Sequence, residues 1–298
     1  MRYYSLRIGN NVFTYDIGKS GLAISFSIQN FKAGESVNSQ ITLHNVPVYY
    51  LGQYANLYDK RVFLQAGMRR TPQNNLNPPL QDVIASGYVS SVVGEPNGTD
   101  RQMTIIFQKS KNNVIKGEFT FSIKEGMTPD LQIQAAFRAV TGGTESLKIV
   151  DTLPSPKSIY DKVQTVNDIA RVLQTIGLDL QETAFGFRQV RAKQPTPTAV
   201  KTIKVSDLIG QPYAINQAEV MIPMWLRGDF SLGDRVVFSP NIFFTSQSLE
   251  SLRDARQIGN KSLFGGQYIV TNIQHDGSLY DASGLSWSTV VRCTKAVS

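Results

Sequence analysis

Arg61-Val62-Phe63, a long loop, Gly87-Tyr88-Val89-Ser90-Ser91-Val92, a turn, then Ile105-Ile106-Phe107: this run has a counterpart late in the chain. There Arg235-Val236-Val237 precedes a longer loop, Gly266-Gln267-Tyr268-Ile269-Val270-Thr271-Asn272-Ile273, a turn at Asp276-Gly277, and Ser288-Thr289-Val290-Val291. Upstream of each lies another alternating strand, Ile41-Thr42-Leu43 or Glu219-Val220-Met221-Ile222. Each half therefore reads as strand, strand, loop, glycine-led strand, turn, strand, and a period of this kind decides the whole fold. Two unrelated antiparallel sheets would share the rhythm. Two related small β-barrels would also explain the shared residues, and antiparallel strands with glycines at bends suit barrel-like closure.

Working outward, the N-terminal region is strand after strand. Gly9-Asn10-Asn11 separates Leu6-Arg7-Ile8 from Val12-Phe13-Thr14-Tyr15, a three-residue turn whose residues tolerate φ > 0. Leu22, Ile24, Phe26 and Ile28 alternate with small or polar residues, the period-2 signature of a half-buried strand. Glu95-Pro96-Asn97-Gly98 reads as the turn into Met103–Phe107; Asn97-Gly98-Thr99 also spells a glycosylation sequon, but the turn is the better reading. The middle changes character. Thr128-Pro129-Asp130 opens a helix over about 129–140, with Leu131, Ala135, Phe137 and Val140 as its apolar stripe. Thr165–Ile176 is a second helix, with Val166, Ile169, Ala170, Val172 and Leu173 on one face and Gly177 as its stop. Leu153–Pro156 marks a turn, and 188–201, with Pro195 and Pro197 among basic residues, an exposed linker or hairpin. The stretch 240–264 has room for a short helix ended by Gly259. The expected fold class is mainly β: two related small antiparallel β-barrels, 1–110 and 201–298, flanking a mixed α/β inserted region at 111–200.

Composition narrows the function. The chain has 298 residues, 41% of them apolar, enough for two or three cores without a disulfide or metal staple. Charged residues make up only 18%, below the usual quarter, which suits a surface largely occupied by partners. The longest apolar run, Val220–Leu226, contains a proline and falls far short of the about 18 residues of a membrane span, so no membrane insertion is expected. The opening MRYYSLRIGNN has no apolar h-region, which predicts a protein made in the cytoplasm. The single cysteine, Cys293, reads as a small strand residue.

Chemistry-bearing patterns are few. The two histidines, His44 and His275, lie far apart in sequence and have no clustered ligands beside them, so no metal site is expected. Gly142-Gly143-Thr144-Glu145-Ser146-Leu147-Lys148 lacks the order of a phosphate-cradling loop and reads as a helix stop. No GxSxG elbow is present. Carboxylate pairs depend on proximity that the sequence does not give, but no segment resembles a hydrolase motif. The expectation is no enzyme, and no catalytic, cofactor-binding or metal-ligating residue and no cofactor is assigned. Basic residues gather at Arg188, Arg191, Lys193, Lys201 and Lys204, and at Lys109, Lys111, Lys116 and Lys124 near Phe107, Phe119 and Phe121. Such clusters can hold single-stranded nucleic acid on a barrel, although solvated loop lysines beside core aromatics fit the alternation better.

These residues resemble a known family. LRIGNNVFTYDIG, a long alternating strand and SVNSQITLHNVP are similar to the start of phage tail hub proteins, the late control protein D family and its relatives in type VI secretion spikes. Ser86-Gly87-Tyr88-Val89, Asp207-Leu208-Ile209-Gly210-Gln211-Pro212, Leu232-Gly233-Asp234-Arg235-Val236 and Gly266–Gly277 continue the likeness, which is weakest over 111–200. The loop at 239–264 departs from it. The resemblance implies a virion protein of the tail baseplate, a late structural protein better suited to a contractile tail. It implies a homotrimer in which each subunit supplies two tube-protein-like barrels, the six together joining a sixfold tail tube, or a tube-initiating ring, above to a separate threefold central spike below. A baseplate wedge or tape-measure protein are further implied partners, with DNA passing through the lumen without sequence readout. A single-stranded nucleic-acid-binding barrel and a cell-wall hydrolase of the tail tip are the alternatives.

Overall fold

The computed structural model describes every residue except 1, 16–20, 31–38, 53, 69–79, 98–99, 109–118, 144–146, 151–152, 154–157, 183–187, 193–199, 217, 240–244, 247–265, 282–285 and 297–298. The first part of the chain forms β1 (Arg2–Ile8), β2 (Asn11–Tyr15), β3 (Ala23–Asn30), β4 (Ser39–His44), a short helix α1 (Val48–Leu51), β5 (Arg61–Met68), β6 (Leu80–Asn97) and β7 (Asp100–Gln108). The middle forms β8 (Phe119–Ile123), α2 (Asp130–Thr141), β9 (Leu147–Ile149), β10 (Ile159–Val163), α3 (Val166–Thr175), β11 (Leu178–Glu182) and β12 (Arg188–Ala192). The last part forms β13 (Lys201–Ile203), β14 (Tyr213–Ala214), β15 (Glu219–Trp225), β16 (Arg235–Phe238), β17 (Thr245–Ser246), β18 (Tyr268–Ser278) and β19 (Trp287–Lys295). The fold is mainly β, and among the described residues its main sheet of fourteen strands is predominantly antiparallel.

The early and late strands share one topology. In space the early strands run β3-β4-β7-β6-β5-β1-β2 and the late ones β14-β15-β19-β18-β16-β13. Strand for strand these are the same order, with the β2 hairpin added to one. The first four neighbour pairs are antiparallel in both halves; the last differs, β1 on β5 being antiparallel and β13 on β16 parallel.

Register makes the equivalence residue by residue. Both long strands carry a bulge, after Val89 in β6 and after Val270 in β18. A bulge leaves one residue outside the ladder, and a hydroxyl fills the gap in each case: Ser90 Oγ donates to the Ile106 carbonyl and Thr271 Oγ1 to the Arg292 carbonyl, both at 3.1 Å. Val89 N–H donates to Lys60 O and Val270 N–H to Asp234 O, both at 2.9 Å. Asp59 N–H and Gly233 N–H return bonds to Val89 O and Val270 O. Asp59 and Gly233 both have positive φ, 61° and 83°. Asp59 thus takes a left-handed conformation, uncommon outside glycine, at the position where the other half has a glycine.

This register corrects the sequence alignment. Gly87 matches Tyr268, not Gly266, because Arg61 pairs with Tyr88 and Arg235 with Ile269. The two glycines exist for different reasons. A Cβ on Gly87 would lie 2.3 Å from Gln108 O, whereas Gly266 bends the chain at φ +104°. The expected turn at Asp276-Gly277 is also displaced: β18 runs through both residues to Ser278. The short helix expected within 240–264, the turn at Pro154–Pro156, Lys109, Lys111, Lys116 and Lys193 lie outside the described residues.

In the middle, α3 begins as expected. Thr165 Oγ1 accepts from Asp168 N–H and Asp168 Oδ2 accepts from Thr165 N–H, a capping box, and Gly177 at φ +76° ends the helix. Helix α2 buries Ile133, Ala136, Phe137 and Val140, spaced i, i+3, i+4, i+7; Leu131 and Ala135, expected on this stripe, face solvent instead. The reading of 188–201 as an exposed linker fails at its start. β12 is the centre of a three-stranded sheet with β11 and β9, and Val190 and Arg191 are buried. The side chains pack into three cores, one in each part of the chain. The first also takes in Leu226 and Trp287 from the last part.

Candidate functional site: the joint between the halves

The two halves are not separate sheets. β18 pairs antiparallel with β3, Ile273 opposite Asn30 through Ser278 opposite Ser25, so a single sheet of fourteen strands runs across both. Only a glycine fits at 277: a Cβ there would stand 2.1 Å from Phe26 Cζ. The Phe26 ring lies over Gly277 and meets Trp287 edge-on with centroids 5.2 Å apart. Trp287 Nε1 donates across the joint to Gly67 O at 2.9 Å. Arg2 places its guanidinium over this indole, 5.8 Å from the ring centre, while donating to Ser278 O and Ser286 Oγ. A buried aromatic with its N–H satisfied is a strong anchor.

His44 lies beside the joint. Its Nε2 is 3.1 Å from Ser25 Oγ and its Nδ1 3.4 Å from Asp100 Oδ2, the order of a nucleophile relay. The surroundings do not suit catalysis. Ser25 sits in mid-strand, paired with Thr42 on one side and Ser278 on the other, so its main chain is committed to ladders and cannot supply an oxyanion hole. The Tyr280 ring covers the imidazole at 4.7 Å, and Asn45, at φ +56°, donates its side-chain amide to Tyr280 Oη. Desolvation works to raise the Asp100 pKa, but N–H donors from Asn45 (2.6 Å) and Arg101 (2.7 Å) and the nearby imidazole hold it below the usual carboxylate range. The cluster ties the end of β4, the start of β7 and the loop after β18 together. It is a lock. No sequence pattern pointed to it, since its members come from four separate segments.

A second contact crosses at Arg227–Asp229. Arg227 makes a bidentate pair with Asp229 (2.6 and 2.7 Å) and approaches Asp207 at 3.3 Å. Gly228 lies so close to β6 that a Cβ would be 2.8 Å from Val83 O. The Asp82 pKa is raised by desolvation and by Asp229. Of the expected basic cluster, half-buried Lys201 binds Asp234 at 2.8 Å and buried Arg191 stands 3.8 Å from the same carboxylate; Lys204 and Lys124 remain exposed. Among the described residues no group of three or more His, Cys, Asp or Glu is placed to hold a metal ion, and no helix is long and apolar enough to cross a membrane.

The fold of this chain is similar to those of solved phage tail proteins and of a type VI secretion component. Over 99% of its length the chain superposes on the 43 kDa tail protein of prophage MuSo2 from Shewanella oneidensis, covering 97% of it, with a TM-score of 0.59 and 11% identity. A tail protein from Neisseria meningitidis MC58 is similar over 99% of this chain and 96% of its own, with a TM-score of 0.56 and 8% identity. The third is the Escherichia coli c3393 protein, a type VI secretion component with structural similarity to the T4 tail proteins gp27 and gp5. It matches 98% of this chain and 77% of its own, with a TM-score of 0.53 and 7% identity. No protein-family profile and no curated protein matches the sequence.

Proposed function

We propose that this chain is the structural hub of a phage tail baseplate: a homotrimer whose six β modules join a sixfold tail tube to a threefold central spike while DNA passes through the lumen. The observation that carries the reading is the duplication. Two modules of one topology, joined edge to edge by β18 and β3, let three chains present six nearly equivalent units upward and keep threefold symmetry below. The residues 1–110, 111–200 and 201–298 then serve as first module, inserted unit and second module. No bond is made or broken; partners cover the weakly charged surface. The basic residues Lys201 and Arg191 are held by Asp234, which favours this reading over a dedicated nucleic-acid-binding barrel. Sedimentation equilibrium tests it: a species of about 99 kDa, three times 33.0 kDa, is expected. A monomer at every concentration, with or without tube protein, overturns it.

A further inference from the structure

β18 gives one edge to two partners in succession, residues 268–269 to β16 and residues 273–278 to β3. Its counterpart β6 begins alike, paired with β5 up to Tyr88. Beyond Val89 this edge of β6 meets no strand among the described residues, while its other edge follows β7 to Asn97. At the far end of the sheet, β14 is the counterpart of β3, and among the described residues its outer edge holds only β17, in a parallel ladder of two residue pairs. One joint is made inside the chain. The two edges needed to make it again are both present.

We propose that residues 92–97 of β6 pair antiparallel with residues 211–216 of a second copy of this chain, in the register of the β18–β3 joint, and that β17 is an edge guard which leaves β14 as the second copy arrives. This rests on the trimeric reading above. Transferred register puts Val93 opposite Ile215, Gly94 opposite Ala214 and Glu95 opposite Tyr213, where the joint has Gln274 opposite Gln29, His275 opposite Ile28 and Asp276 opposite Ser27. Val93 and Ile215 are 45% and 42% exposed in the single chain, large apolar side chains that this pairing brings face to face. Pro96 and Pro212 take the positions of Gly277 and Phe26, so that pair supplies no amide donor. The contact between copies therefore has fewer hydrogen bonds than the joint within a chain. It is weak singly and stable when three such contacts close a ring.

Leu279 N–H donates to Ile24 O, which sets the alternation and makes Gln274–Gln29 a non-hydrogen-bonded pair. Opposed residues of that kind stand about 4.5 Å apart, within disulfide reach. The test mixes V93C protein with I215C protein under mild oxidation, with E95C and Y213C as a second pair in case one variant misfolds; native Cys293 is buried. Covalent dimers from either mixture, and covalent trimers from the V93C/I215C double variant, are expected. Absence of cross-links from both pairs overturns the proposal, as does a dimer from V93C alone. If wild-type protein still sediments as a trimer, this contact falls and the hub reading stands. Substituting Thr245 and Ser246 by proline is expected to raise cross-linking about tenfold, the worth of roughly one net hydrogen bond. An unchanged or lower yield overturns the guard.

Discussion

Gly277→Ala adds one methyl group where the Phe26 ring already lies. In an open strand, alanine would be favoured over glycine by about 0.5–1 kcal/mol. Here the added carbon would be 2.1 Å from Phe26 Cζ and 2.2 Å from Cε1, inside any tolerable contact. The ring has little room to retreat, because Trp287 meets it edge-on and is itself held to Gly67 O. Overpacking of this kind costs about 1–3 kcal/mol, and outright loss of a buried phenylalanine about 3–5. Sterics therefore exceed propensity, and a net loss of about 3 kcal/mol is expected. Urea unfolding followed by tryptophan fluorescence reads this directly, since Trp287 sits at the site. The control is Phe26→Ala, which is destabilising alone but makes space for the methyl. In that background Gly277→Ala should cost less than about 0.5 kcal/mol, a coupling of over 2 kcal/mol between the positions. A small loss in the wild-type background, or equal losses in both, would refute the idea that ring and glycine are matched.

Further outcomes follow from the same geometry. Ser90→Ala and Thr271→Val should each lower stability by about 0.5–1.5 kcal/mol and by nearly equal amounts in chemical denaturation, with Thr271→Ser close to neutral. Unequal losses would mean the two bulges are not equivalent. Asp234→Ala strands Arg191 and leaves Lys201 without its carboxylate, with an expected cost of about 3 kcal/mol. The variant should also retain single-stranded DNA on a filter better than wild type at low salt. Because the Asp100 pKa is lowered on folding, its contribution to stability is fully present above the ordinary carboxylate pKa of about 3.9 and is lost as pH falls through the folded value. Asp100→Asn should flatten that part of an acid-unfolding profile, and an unchanged profile would remove Asp100 from the lock.

The duplicated order of strands was legible because it is written in local patterns. Arg61-Val62 and Arg235-Val236 open equivalent strands, and alternation marks their neighbours. What misled was glycine taken as a fixed landmark. Gly87, Gly266 and Gly277 answer to a carbonyl, a bend and an aromatic ring, three causes that look alike in a sequence. Asp276-Gly277 has the composition of a turn but lies in a strand, since the reason for the glycine is Phe26, about 250 residues earlier in the chain. Arg191 looked exposed because charge usually is; its partner Asp234 comes from the last part of the chain. The joint itself was not legible, because its one special requirement, a glycine at 277 opposite Phe26, has the composition of a turn, and its other pairs are ordinary strand residues.

Trp287 belongs to the hydrophobic interior of the first module, yet it leaves the ribosome 220 residues after Gly67, the group it binds. At about 5–20 residues per second, roughly 10–45 s of synthesis separate the two. During that time the nascent N-terminal half has an open slot and a bare strand in β3. Completion of folding is thus reserved for polypeptides that have been translated through to β19, and a truncated product exposes its own defect to proteolysis.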